Sequence, residues 1–420
     1  MKATNQSAIA NAILFVAPAG SYRLSAFART AHQLQIKPVI VSTGHDAVIT
    51  STETGIRVDL DDIKKAVDKI IQALTGRAIS SVIATDDSTV ELASTVAQRL
   101  GLPHNSPVAC QRARHKDLGR MCLAQNGLLT PKFRAIRLSD SIELTAEGIS
   151  FPSVIKPLAM SASRGVMRVN NHKEFIAACG RIKRLLDKEG ITPANCLVED
   201  FIPGQEVAIE GFLRGGRFTP LALFDKPDAL DGPYFEETYY IAPSRHSEKT
   251  QSSIIQTVQQ ACEAYELSEG PLHAECRINA KGIWIIELAA RTIGGECSRL
   301  FEYALGQSLE EIVIRSSIGE NITDTGIDEA AGVLMLPVTQ GGVLRRVEGV
   351  RAAGQVKYIE QVIIDVRAGQ ELIPWPEGGV YPGFVFARAL TPEKAETALR
   401  AAHAQLNFVV APKLLVSIAA

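Results

Sequence analysis

From His273 to Arg299 the chain reads HAECRINAKGIWIIELAARTIGGECSR, and this segment limits the fold more than any other. Two largely apolar runs flank Ala280-Lys281-Gly282, and each run carries one glutamate, Glu275 or Glu287. A three-residue connection ending in glycine predicts a hairpin with a type I turn followed by a left-handed residue. In that hairpin Asn279 faces Ile283, and two-residue alternation sets Glu275 opposite Glu287 on one face. Trp284, Ile285, Ile286 and Leu288 argue against an exposed, solvated hairpin. Two such carboxylates repel each other and resist burial unless something compensates them. A divalent cation held between them removes the conflict. Hard oxygen ligands, and so few of them, point to Mg2+ carrying a nucleotide phosphate.

The bulk numbers leave this reading open and close others. The chain has 420 residues, 46% hydrophobic and 21% charged, enough for two to four domains. A net charge of −2 gives no electrostatic case for a nucleic-acid or membrane partner. The seven cysteines (110, 122, 179, 196, 262, 276 and 297) form no C-x-x-C pair and are odd in number, as expected of reduced thiols in a cytoplasmic protein. The apolar run within residues 1–20 is too short to span a membrane and continues into helix-like sequence, so it reads as neither signal peptide nor anchor.

Three regions follow from patterning. Over 1–105, strands at 12–17, 38–42 and 80–84 alternate with helices at 21–34, 60–74 and 88–100, which predicts a Rossmann-like parallel sheet. It lacks a dinucleotide fingerprint, since APAGSYRLSA follows the first strand. Over 106–324 a helix (115–126), extended segments (132–138, 151–155, 166–169, 196–201), a helix (173–188), antiparallel pieces (206–213, 218–224) and a helix (252–265) precede the acidic hairpin. Residues 325–420, rich in Val and Gly and closed by a helix at 392–405 and a strand at 408–417, predict a small α+β domain capping the rest.

A metal–phosphate site also needs cations, a flexible cover and a slot for the base. Lys116 opens the 115–126 helix. Lys156 ends the apolar strand FPSVIKP, where an unpaired ammonium is costly. The loop SASRG follows; Ser161, Ser163 and Gly165 let backbone N–H groups approach phosphate closely. In LVEDFIPGQEVAIEGF (197–212) a strand runs into a turn and frees backbone groups to read an adenine edge, with Glu206 positioned for ribose hydroxyls.

In this order and spacing, the segments over about 106–320 resemble the ATP-grasp superfamily. The resemblance implies a nucleotide between two lobes, a small one at about 106–196 and a large one at about 197–324. By it, Lys116 and Lys156 hold the phosphates under the 161–166 loop. Glu199, Asp200, Phe201 and Ile202 line the adenine slot, and Glu206 binds ribose. Glu275 and Glu287 hold Mg2+, for which Mn2+ can substitute. Ala289 stands where many members have a third metal ligand, Asn, which leaves one or two ions open. Arg291, with Gly294 and Gly295, matches the group that stabilises an acyl phosphate and its tetrahedral adduct.

GPLHAE, ELAARTIGGE and FDKPDALDGPYFEETYYIAPSR carry a narrower resemblance, to the L-amino-acid ligases. It implies ATP-dependent joining of a carboxylate and an amine, both amino acids, with Lys226, Glu236, Glu237, Arg245 and His273 as candidate substrate contacts. The resemblance also implies a homodimer. Alternative readings are a ligase of purine or cofactor biosynthesis, a biotin-carboxylase-like enzyme, and a degenerate nucleotide-binding scaffold.

Overall fold

The computed structural model describes residues 12–43, 54–60, 62–321 and 329–413. The first eleven residues, and the part of the expected 408–417 strand beyond 413, lie outside them. No helix among the described residues is long and apolar enough to cross a membrane.

The N-terminal region forms a four-stranded parallel sheet. Ala12–Ala17 lies between Lys37–Ser42 and Ser81–Ala84, and Thr54–Arg57 adds the outer strand. Ile13, Leu14, Phe15 and Val16 are all buried, as a strand covered on both faces requires. Helices Tyr22–Gln33, Ile63–Ala73 and Val90–Arg99 connect the strands. Asp62 starts the second helix by accepting the Lys65 N–H. The short strand TGIR escapes sequence reading because it carries a single large apolar residue and takes its order from its neighbour.

Next comes a smaller antiparallel sheet in the order Phe133–Arg137, Asn195–Asp200, Ser153–Pro157, Met167–Val169. The helix His172–Lys188 covers it through Phe175, Ala178, Ile182 and Leu185. Its start is fixed by Asn171, whose side chain accepts the Glu174 N–H. Helices Pro107–Arg114 and Lys116–Gln125 lead into this lobe.

An eight-stranded antiparallel sheet forms the centre of the molecule. Its order is Gly282–Ala289, Gly270–Asn279, Gln205–Arg214, Arg217–Lys226, Tyr239–Ala242, Ala330–Met335, Gly383–Ala389, Ile359–Ile364. Helix Glu248–Tyr265 packs Ile254, Val258 and Ala261 on one face against Val207, Ile209 and Leu272. On the other face Phe212 and Phe224 meet Phe15 and Phe27 of the N-terminal region. The C-terminal segment is expected from sequence as a unit of its own, yet three of its strands extend this sheet. Among the described residues, only Glu371–Leu372, Gly342–Glu348 and Asn407–Ala411 make a separate small sheet. Any extended segment can add to an open antiparallel edge, and local sequence does not say which edge.

The acidic hairpin has the expected pairing but a different turn. Asn279 pairs with Gly282, not Ile283, because the Asn279 side chain accepts the Lys281 N–H at 2.9 Å and tightens the loop to two residues. A bulge between Glu275 and Cys276 then restores the register: Cys276 faces Ile285, and Glu275 faces Glu287.

Candidate active site

A cleft opens between the smaller lobe and the central sheet. Lys116 and Lys156 line it from the small-lobe side. Lys116, the first residue of its helix, donates to the Met160 carbonyl at 2.9 Å, just before the small-residue loop. Lys156 ends a buried strand and is itself 6% exposed. Its ammonium pairs with Glu199, which also accepts from Arg120 Nε at 3.0 Å. Burial opposes the Glu199 charge, but the two cations outweigh it and hold the carboxyl down at about 2. Burial lowers Lys156 despite Glu199. Arg120 also donates to the carbonyls of Ile285 (3.2 Å) and Ile286 (2.6 Å), tying the small lobe to the bulged strand.

Ser161, Ala162 and Ser163 line the cleft, as do Asp200, Phe201 and Ile202 where the strand Asn195–Asp200 ends. Gly165 does not. It lies behind the loop with φ 71°, and a β-carbon there would sit 2.7 Å from Pro157 Cγ. Phe201 lies beneath two guanidinium groups, those of Arg168 and Arg277, at 4.2 and 5.2 Å from its ring centre. Leu230 and Phe235 add apolar wall.

The sheet side is acidic. Glu206, Glu237 and Glu275 each offer an oxygen within one 4.8 Å cluster. Lys226 reaches all three: Glu206 at 2.8 Å, Glu275 at 3.1 Å, and Glu237. Arg277 adds a second cation to Glu206 at 2.8 Å. His273 bridges Glu210 (3.0 Å) and Glu275 (3.6 Å), while Glu210 also accepts the Ile293 N–H at 3.0 Å. Burial works against the His273 charge, but these acids raise it to about 9. Burial pushes Glu237 up to about 7 against the pull of Lys226. Glu275 is held low by Lys226 and His273, which together overcome its burial. Glu287 lines the same cleft, and among the described residues no cation lies within ion-pair distance of it.

Arg291 sits just past the strand Gly282–Ala289. It donates to Asp87 at 2.9 Å, and although burial opposes its charge, Asp87 and Glu287 keep it firmly protonated. The Gly295 N–H donates to the Tyr22 hydroxyl at 2.7 Å, and Gly294 lies beside Arg23. Of the predicted residues, Lys226, His273, Arg291, Gly294 and Gly295 do not line the cleft themselves, and two further substrate candidates stand elsewhere. Arg245 pairs with Asp225 (2.8 Å) and with Glu396 (2.7 Å) of helix Pro392–His403, on a different cleft. Glu236 accepts the Val338 N–H at 3.0 Å and does not line the cleft.

Sequence reading missed Arg120, Arg277, Asp87 and Tyr22. Two had a signal: Arg120 lies one helical turn after Lys116, and Arg277 shares a strand face with Glu275. Asp87 and Tyr22 reach residues more than 200 positions away, and no local pattern marks them.

With this geometry in place, the comparisons with known proteins become specific. Residues 149–299 match the ATP-grasp domain, and 334–411 match the L-amino acid ligase C-terminal domain 2. A dapdiamide A synthase of Enterobacter agglomerans is 24% identical over 58% of this chain and 57% of its own. A D-alanine–D-alanine ligase of Bordetella pertussis is 25% identical over 50% of this chain and 63% of its own, so the matched part spans less than two-thirds of either relative. The crystal structure of an L-amino acid ligase from Bacillus licheniformis superposes with a TM-score of 0.79 at 24% identity, over 96% of this chain and 99% of that one. That likeness shows the ATP-grasp fold. The chain thus carries an ATP-grasp domain followed by an L-amino acid ligase C-terminal domain, and it is similar to L-amino acid and D-alanine–D-alanine ligases.

Proposed function

We propose that this chain is an ATP-dependent ligase that joins a carboxylate and an amine, both amino acids, through an acyl phosphate, with release of ADP and phosphate. One observation carries the reading. A single cleft gathers Lys116, Lys156, the 161–163 loop, Glu206, Glu275 and Glu287, residues drawn from segments up to 171 positions apart.

The residues fit a magnesium nucleotide. Lys116 and Lys156 offer charge to the phosphates, and the ends of Asp200 and Ile202 frame an apolar slot for the base. Glu275 and Glu287, register partners on neighbouring strands, would hold Mg2+. The ion neutralises phosphate charge and draws electrons from the transferring phosphoryl group. Ala289 offers no third ligand, so the remaining positions fall to water and phosphate.

The chemistry then follows from positioning and electrostatics. A substrate carboxylate attacks the γ-phosphoryl group, ADP leaves, and Lys156 and Lys116 offset the spreading charge. An amine attacks the acyl phosphate carbonyl, and Arg291 stabilises the oxyanion before phosphate departs. Closure of the two lobes keeps water from the acyl phosphate. The seven buried free cysteines support a reducing, cytoplasmic setting, and resemblance alone supports a homodimer, which light scattering measures.

The direct test is ADP formation over pairs of amino acids and small acids, with mass analysis of products. We expect ADP only with a matched pair, and a product equal to both reactants less one water. ADP release that depends on bicarbonate, or no ADP with any pair, would overturn this assignment.

A further inference from the structure

The small-residue loop beside the phosphate lysines does not hold its own shape. Ala162 and Ser163 have φ of 56° and 54°, and Gly165 follows at 71°. Residues with a β-carbon avoid this region, so two in succession persist only where surrounding structure fixes them. The fixing groups come from the far end of the chain. Trp375 Nε1 donates to the Ala162 carbonyl at 3.2 Å, and the Gly165 N–H donates to the Pro376 carbonyl at 2.8 Å. Arg164 lies over Gly379, where a β-carbon would collide with it. The Glu377 carboxylate is gripped by Arg181 of helix His172–Lys188, with one contact at 2.7 Å and a second, shorter one. Trp375 is 3% exposed and anchored among Val338, Leu344, Val366 and Leu372.

We propose that residues 375–379 are a strap by which the C-terminal region fixes the phosphate loop in its cleft-lining conformation. Trp375 and Glu377 are then positioning residues for the nucleotide, a role that rests on the nucleotide reading above. A loop already ordered spares the ligand the entropy of ordering it, so the strap acts on nucleotide affinity. It touches none of the acidic groups on the sheet side, so amino-acid KM is independent of it.

Two variants of the full chain test this. Trp375→Phe keeps the buried ring and removes the N–H; Glu377→Gln weakens the tie to Arg181. The measurements are MgATP affinity by calorimetry and amide hydrogen exchange over 160–166 without nucleotide. We expect about fivefold weaker nucleotide binding, the loss of about one hydrogen bond. Exchange should quicken within the loop alone, with amino-acid KM unchanged. If Trp375→Phe raises exchange throughout the chain, Glu377→Gln, at the surface, decides. Wild-type exchange and affinity in both variants overturns the strap, and so does faster exchange with unchanged affinity. Should the wild-type chain bind no nucleotide, the functional reading fails, while loop exchange still judges the strap by itself.

Discussion

On the small-lobe side of the cleft, Arg120 and Lys156 share one carboxylate, Glu199, and Lys116 lies close enough to Lys156 to oppose its charge. On the sheet side, Lys226, Arg277 and His273 face Glu206, Glu210, Glu237 and Glu275, and Glu287 beyond them has no cation among the described residues within ion-pair distance, Arg291 and Arg120 acting on it only from further away. One side thus has spare positive charge and the other spare negative charge. Each imbalance is costly where water is scarce, and a ligand of opposite charge relieves it. A polyphosphate suits the first side and a divalent cation the second. The contrast is what the proposed metal–nucleotide site calls for: two lobes, each incomplete in the opposite sense.

The largest expected effect breaks the acidic side. Glu287→Gln should lower ADP formation on the order of 10³-fold, because it removes half of the proposed metal pair. Turnover near wild type would take Glu287 out of that pair. Next, Glu199→Gln leaves Lys156 and Arg120 buried without their carboxylate. Urea unfolding should report a loss of about 3–5 kcal/mol, and added Mg2+ should restore none of it.

The same group sets an acid limit. Glu199 titrates at about 2 in the folded chain against an ordinary 4.5, so its stabilisation is complete above 4.5 and disappears as pH falls through 2. That window should carry about 3 kcal/mol, and Glu199→Gln should flatten it. An unfolding profile equally steep in the variant would count against the pairing.

Lys226→Met sharpens the comparison from the other side. It leaves Glu206, Glu237 and Glu275, with ligand atoms inside 4.8 Å, lacking their shared cation. Here Mg2+ should recover stability, about 1.4 kcal/mol at ten times its Kd; a variant indifferent to the ion would deny that the trio can hold one. The smallest effect belongs to Arg245→Ala. Its partners, Asp225 and Glu396, lie on another cleft, and partial exposure limits the loss to about 1 kcal/mol. Nucleotide affinity should stay put, and a marked fall would place Arg245 nearer the site than its contacts suggest.

Legibility in the sequence follows the range of the interaction. The strand Ala12–Ala17 and the helix Lys116–Gln125 lie within a residue of their expected ends, because apolar period and end residues are local signals. Lys156 drew attention as an ammonium closing an apolar strand, and its partner Glu199 lies on the neighbouring strand. Other features had no such marker. The bulge in the acidic hairpin is invisible because Ile285 and Ile286 are the same residue type, so nothing says which is the extra one. Trp375 reads as ordinary core until the loop it holds, 213 positions away, is seen beside it.

The sequence alone determined the alternation of elements and the chemical kind of each cleft residue, since both depend on neighbours a few positions away. That two glutamates face each other was expected from strand parity, but the two-residue turn and the bulge that together produce the pairing were settled only in the folded hairpin. Tertiary structure decided which cations neutralise which acids, that among the described residues none lies within ion-pair distance of Glu287, and that the C-terminal strands continue the central sheet. Those outcomes depend on through-space charge and on open sheet edges, and chain closure over hundreds of residues leaves no periodic trace of either.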